Sequence, residues 1–488
     1  MPHAHWGSVA FHLPFLLSLL SPVLAYPSAQ HVLAETDRPT GTGSGTLRRY
    51  AVRSTGEAAE VLGLAQANDW DIWQATPSHV DVYFPAAQDF ADATPGLPSP
   101  LPFRFSDHPI VQHAPNVQTT PSTPGLEWDL SSLANTTFHS AYHSLDELYA
   151  FINQFARQYP DKVKVVPLGH SGEGREMYAL EISSRAKGHS GSHDSKVQGT
   201  DTSAAAAPLG FVISGAQHAR EWVASAAAIY LAHALVANAS EPYSLAPLLE
   251  TFTFFIVPAP NPDGYVYTWE KDRFWYKDRL PLGHQAKCVG VDMNRNWGYK
   301  WKVHSKYLTA KHDAAVPEKS AVQKREEGNP CSHWYPGNRP FQAPEVNNMA
   351  NYFERLPRLE AFLDLRSYGQ MLSAPYSYSC KRSPKDAEDQ LEAISGAAHM
   401  MKKSHGTSFT TGTLCSTLYR APGNVVDWMY HQVGVKYSFA AHLRDTGTYG
   451  FALPEQWIRP VGEETAKMVE YLADFIAKKT KAKTRDGT

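Results

Sequence analysis

Two residues three apart, His218 and Glu221, carry the clearest suggestion of chemistry in this chain of 488 residues. They lie in Ser214-Gly-Ala-Gln-His-Ala-Arg-Glu-Trp-Val223, between a short apolar run at 209–213 and an Ala-rich helical stretch at 222–237. A strand that breaks at a glycine and re-enters as a helix puts His218 on the loop and Glu221 in the first helical turn. Ligands of open α/β sheets collect at this carboxyl end of the strands. A neutral imidazole and a carboxylate on one side of such a turn can bind a divalent metal, zinc most naturally. Two donors do not complete a site. The plainer alternative is a polar pair held by packing and hydrogen bonds.

The elements that would position this pair emerge from patterning. A net charge of −3 gives no electrostatic reason to expect a nucleic-acid partner. An apolar run at 9–20 leads to Val23-Leu24-Ala25, small residues suited to cleavage, so 1–25 reads as a secretory signal peptide. No later apolar run is long enough to span a bilayer. Residues 26–46 form a polar lead-in. Strand patterns at 49–53, 70–74 and 80–84 with a helical one at 56–68 predict a small α+β domain over 47–116, and 117–127 is a linker by composition. From 128 to 477 helical and strand patterns alternate, with strands expected at 163–168, 177–182, 252–258, 361–365 and 435–441. Amphipathic helices are expected at 144–159 and 463–478. This is the pattern of an α/β sandwich. Residues 185–207 read as a surface insertion, 302–328 as a charged exposed loop and 478–488 as a basic tail. Cys288, Cys331, Cys380 and Cys415 suit two disulfides in an oxidising compartment, and Asn135 and Asn238 open glycosylation sequons.

Six blocks occur in order: Gln217-His-Ala-Arg-Glu-Trp222, Asn261-Pro-Asp-Gly264, Cys288-Val-Gly-Val-Asp-Met-Asn-Arg-Asn-Trp297, Asn329-Pro-Cys331, Ser367-Tyr-Gly369 and Leu443-Arg-Asp-Thr-Gly447. Together they resemble the zinc carboxypeptidases of the A/B type. The stretches Trp128-Asp-Leu-Ser-Ser-Leu133, Phe138-His-Ser-Ala-Tyr-His143 and Pro375-Tyr-Ser-Tyr-Ser-Cys380 resemble the fungal inactive metallocarboxypeptidase-like proteins linked to the cell wall. The resemblance implies a mixed-sheet α/β/α sandwich preceded by a small α+β propeptide-like domain. It further implies the pairings Cys288–Cys331 and Cys380–Cys415, the latter fastening the loop that carries Tyr419.

Such an enzyme holds zinc by three protein ligands, leaving a fourth position for water. A carboxylate takes the proton from that water, and a guanidinium steadies the oxyanion. Carried over residue by residue, the family pattern gives a mixed site. His218 and Glu221 match the first two zinc ligands, but the third-ligand position, a His in active relatives, is Arg366. The general-base position is His442, and the oxyanion-Arg position is Tyr276. Asn294 and Arg295 match the clamp on the substrate carboxylate, Arg220 the adjacent substrate-binding Arg and Tyr419 the mobile capping Tyr. Val426 stands where the family reads the C-terminal side chain, implying a pocket for apolar or aromatic ends.

A positioned general base contributes roughly 100- to 10,000-fold in rate and one oxyanion donor roughly 100- to 1,000-fold. Losing both, with a permanent cation at the third-ligand position, argues against hydrolysis by the usual route. Three readings follow. The favoured one is a secreted pseudoenzyme, vacuolar or associated with the cell wall, that binds a peptide or protein with a free C-terminus. The second is an active zinc exopeptidase with a rearranged His218, Glu221, His442 site. The third is a peptide-binding module without metal. A Glu221–Arg366 salt bridge in place of zinc stands against residual zinc binding. The expected partners include no nucleic acid and no membrane, and the chain is expected to be a monomer.

Overall fold

Four strands near the N-terminus pair into an antiparallel sheet. Its strands are β1 (Gly45–Ala51), β2 (Asp71–Ala75), β3 (His79–Phe84) and β4 (Phe105–Ile110), in the order β2-β3-β1-β4. Helix α1 (Thr55–Ala67) covers one face, its N-terminus capped by Ser54, whose hydroxyl accepts from the Glu57 amide. The computed structural model describes residues 45–68, 70–85, 104–110, 127–184, 207–283, 287–302 and 329–486. All of these lie within one unit, Pro39–Thr488. The expected signal peptide and nearly all of the lead-in, linker, insertion and charged loop lie outside the described residues.

The larger sheet has eight strands: β5 (Val163–His170), β6 (Glu176–Ile182), β7 (Leu209–Ser214), β8 (Phe252–Val257), β9 (Leu359–Arg366), β10 (Met371–Ala374), β11 (Thr410–Thr413) and β12 (Tyr437–His442). Their order is β11-β10-β12-β9-β7-β8-β6-β5. The four central strands, β12, β9, β7 and β8, run parallel, while β6 and β10 join antiparallel on either side, giving the expected mixed sheet. The principal helices are α2 (Leu145–Gln158), α3 (Trp222–Ala234), α4 (Pro262–Glu270), α5 (Pro344–Phe353), α6 (Ala387–His405) and α7 (Ile458–Asp486). Because successive side chains of a strand point to opposite faces, β7 sends Phe211 and Ile213 into the apolar layer shared with α3 and α7. Val212 points into the other layer, with Trp297 and Val346. Both faces are therefore covered, which is why the parallel strands read as continuous apolar runs.

Several boundaries differ from the sequence expectation. The first strand begins at Gly45, inside the expected lead-in, and pairs with β4, whose polar Phe105-Ser-Asp-His-Pro-Ile110 gave no strand signal. Strands β10 and β11 were also unread, because four residues of mixed character have no usable period. The closing helix is longer at both ends. Pro460 is tolerated in its first turn, where no amide partner is lost. The expected basic tail continues as helix to Asp486, and Lys479 pairs with Asp389 and Glu392 of α6 at 3.0 and 2.9 Å. Lysines also suit a helix C-terminus electrostatically. The disulfides Cys288–Cys331 and Cys380–Cys415 form as expected.

Candidate functional site

The C-terminal ends of β7, β9 and β12 converge on one point. Arg366 ends β9, His442 ends β12, and the two are direct partners in the parallel ladder. The chain leaves β7 through Gly215, where a Cβ would stand 2.2 Å from the Pro258 carbonyl oxygen, so only glycine allows this close crossing. The loop then places His218, and Glu221 caps α3. A short turn at Met293–Arg295 adds Asp292, Asn294 and Arg295.

Arg366 is the hub. Its Nε donates to Glu221 Oε2 and its Nη2 to Glu221 Oε1, each at 3.0 Å, the parallel fork that guanidinium and carboxylate favour. The same Nη2 contacts His218 Nδ1. The same Nδ1 also faces Glu221 Oε1 at 3.0 Å, and the other ring nitrogen, Nε2, faces Asp292 Oδ1 at 2.8 Å. Ser367 adds a backbone N–H to Glu221 Oε2 at 3.1 Å. Glu221 and His218 are 1 % and 2 % exposed. Burial alone would raise the Glu221 carboxyl, but the charge of Arg366, with His218 beside it, holds it well below the usual range. Asp364, which accepts from Gln217 and Asn294, is pushed up to about 6 by burial, against the pull of Arg366. The Glu221–Arg366 salt bridge, one of the two alternatives left open by the sequence, is present.

His442 is pushed down to about 3 by burial and by the neighbouring Arg366 charge, so it is a neutral imidazole, and its buried Nδ1 has no partner. Tyr276 stacks on the His218 ring with centroids 3.8 Å apart, and burial keeps its phenol neutral. Neither side chain supplies the base or the cation that stood at its position in the family pattern.

Asn294, Arg295 and Tyr419, expected to grip a substrate carboxylate, are engaged with one another and with neighbouring groups. Arg295 donates through Nε to Asp292 at 2.7 Å and through Nη2 to the Tyr419 hydroxyl at 2.8 Å. Asn294 spends its amide on Asp364 and on the Val425 N–H, so it braces the turn. Arg220 is turned away from the clamp: its Nη1 meets both oxygens of Asp71 at 2.9 Å and its Nη2 the Ile72 carbonyl at 3.2 Å. Burial raises Asp71, and Arg220 and His333 together overcome this and hold it low. Val426 was expected to read the C-terminal side chain. It is fully buried in the apolar cluster of Trp297 and Trp428, outside the lining of the cavity, because its short helical turn faces the core.

What remains is a cavity of about 70 Å³ walled by Arg295, Arg366, Tyr419 and His442 on one side and by Trp73 and Gln74 of β2 on the other. Gln74 Nε2 donates to the Tyr368 carbonyl at 2.8 Å, and Arg49 bridges Asp81 and the Thr446 carbonyl. Sequence reasoning missed Asp71, Asp292 and Asp364. Asp292 lies inside a quoted block, so its spacing from Asn294 and Arg295 was available, whereas nothing local marks Asp71.

Comparison with known proteins places this geometry in a class. The Zinc carboxypeptidase family (Peptidase_M14) matches residues 148–468, and the chain belongs to that family. Curated relatives include "Inactive metallocarboxypeptidase ECM14" of Paracoccidioides brasiliensis (strain Pb03), 30 % identical over 89 % of this chain and 73 % of the relative. The protein of that name from Sclerotinia sclerotiorum is 31 % identical over 86 % and 71 %. Among solved structures, thrombin activatable fibrinolysis inhibitor is 29 % identical over 89 % of this chain and 99 % of that one, with a TM-score of 0.69. The carboxypeptidase A of Helicoverpa armigera (23 % identity, 89 % and 98 % coverage, TM-score 0.66) shares the fold. This is a carboxypeptidase-like protein with the A/B-type sandwich and the small preceding sheet domain.

The family implies zinc, and the residues present do not fit it. Both oxygens of Glu221 accept from the Arg366 guanidinium, which also lies against His218 Nδ1. Among the described residues no group of three His, Cys, Asp or Glu side chains is arranged to hold a metal ion. No helix among them is long and apolar enough to cross a membrane.

Proposed function

We propose that this chain is a secreted, non-hydrolytic carboxypeptidase-like protein whose cleft engages a peptide or protein bearing a free C-terminal carboxylate, in the vacuole or at the cell wall. The observation that carries the reading is the Arg366–Glu221 fork, which stands where hydrolysis needs a third ligand and an open coordination position. Tyr276 and His442 supply neither the oxyanion cation nor a carboxylate base. Relatives that carry the word inactive in their names agree with this. Arg295 and Tyr419 remain side by side, and a carboxylate arriving between them would exchange the Tyr419 hydroxyl for a charge-assisted pair. Asn135 and Asn238 are exposed, in keeping with glycosylation in a secretory route.

The test uses the purified full-length protein. Release of C-terminal residues from peptides ending in apolar or aromatic side chains should stay at background, while a peptide with a free C-terminus binds and its C-terminal amide does not. Arg295→Ala should weaken that binding about tenfold or more, the equivalent of roughly 1.5–3 kcal/mol for a hydrogen bond to a charged group. Brisk release of terminal residues would reject the reading in favour of an active zinc enzyme using His218, Glu221 and His442. Equal binding of acid and amide would reject the carboxylate clamp.

A further inference from the structure

We infer that Arg366 is a built-in cation in place of the metal: its guanidinium ties the first two ligand side chains together, so the folded site needs no zinc and bars it. The stereochemistry comes first. Three guanidinium contacts reach His218 Nδ1 and both oxygens of Glu221, the atoms this pair would turn toward a metal. A fork on a carboxylate is specific in geometry as well as charge, and the guanidinium never deprotonates in a protein.

The surroundings are built to the same end. Residues behind metal ligands normally orient them. Here Asp292 faces His218 Nε2 and so keeps Nδ1 beside Arg366 and Glu221, and the Ser367 N–H fixes Glu221 Oε2. Asp364 Oδ2 lies 3.6 Å from Arg366 Nη1, a carboxylate behind the cation. Tyr276 covers the flat face of His218. These contacts keep the cation in place from several sides, and Arg366 is only 7 % exposed.

A dication could enter only by separating a buried bidentate pair and then resting beside a permanent positive charge. Both steps are unfavourable where water cannot screen them. His442 does not change this. Its Nδ1 is the unpartnered donor in the neighbourhood, but it stands alone, since the other two donor groups face the guanidinium. Arg366 is the last residue of β9, opposite His442 in the ladder, and from that position its side chain reaches Glu221.

The experiment needs no activity and is separate from the peptide-binding test above. Full-length protein purified from zinc-supplemented medium is analysed for metal by mass spectrometry, and its thermal midpoint is measured with a chelator and with added zinc. The parent should carry far less than one equivalent of zinc and show the same midpoint in all conditions. Arg366→Met should lower the midpoint, with no recovery on adding zinc, because Glu221 loses its counter-charge. Arg366→His should lower it without metal, then bind one equivalent of zinc and regain stability. One equivalent of zinc in the parent, or a midpoint that falls with chelator, overturns the inference, and that measurement stands even if neither variant folds. A folded Arg366→His that ignores zinc overturns it as well, as does an Arg366→Met as stable as the parent.

Discussion

At the scale of single residues, the site shows how one charge can be exchanged for another of different shape. Glu221 is buried with Arg366 as its counter-ion, and breaking such a pair from one side leaves the other charge uncompensated. Glu221→Ala should therefore destabilise the protein by about 3–5 kcal/mol at neutral pH, read from denaturant unfolding. The sign of the pH effect follows from the lowered carboxyl. Its contribution is complete above its ordinary value of 4.5 and is lost as pH falls through the lower folded value, so parent and variant should converge only in strong acid. A difference that instead vanished toward alkaline pH would contradict the ion pair. His218, Glu221 and Arg366 were all legible from spacing and order. That Asp292 orients the imidazole was not, since a side chain 74 residues away reaches it only in the folded chain.

At the scale of elements, β2 is what closes the cleft. Trp73 stacks on Tyr83 at 4.6 Å and meets Phe274 and Phe451 of the larger domain at 4.8 and 5.0 Å, so one aromatic cluster belongs to both halves. Trp73→Ala should cost about 3–5 kcal/mol by the cavity it leaves, measured by chemical denaturation. A second element-level feature lies where the loop after α4 meets the first turn of α5. Asp278 and Glu345 are both fully buried and each keeps one carboxyl oxygen without a partner. Burial pushes Asp278 up to about 7, and burial together with the Asp278 charge pushes Glu345 well above its usual range. Raised carboxyls favour the fold when protonated. Their contribution is present below the ordinary carboxylate range and is lost as pH rises through about 7. Stability should fall between about pH 4 and pH 7, and Asp278→Asn should flatten that slope in a series of unfolding curves.

At the scale of the whole molecule, the small sheet domain and the sandwich are joined by more than a linker. The Asp71–Arg220 pair, the Arg49–Asp81–Tyr368 group and the shared aromatic cluster all cross between them. Calorimetry should accordingly show a single unfolding transition for the described unit, whereas two separate transitions would mean the halves are thermodynamically independent. Reducing both disulfides should lower that transition. The typical loss is about 2–4 kcal/mol per bond, and Cys380–Cys415 also tethers the segment leading to Tyr419.

The sequence alone determined the class of this protein and the three substitutions that define its site. Motif order survives in one dimension, and a Gly-broken strand before an Ala-rich stretch is a local signal. It also located the larger sheet's central strands, because burial on both faces leaves unbroken apolar runs. Only the tertiary structure shows Arg366 and Glu221 as an ion pair. Whether a guanidinium at position 366 reaches a carboxylate at position 221 depends on the register of β9 beside β7. It likewise decided that Arg220 is bound by Asp71 and that Val426 faces the core. Long-range pairing and the direction of a side chain from a short turn leave no period in the sequence from which they could be read.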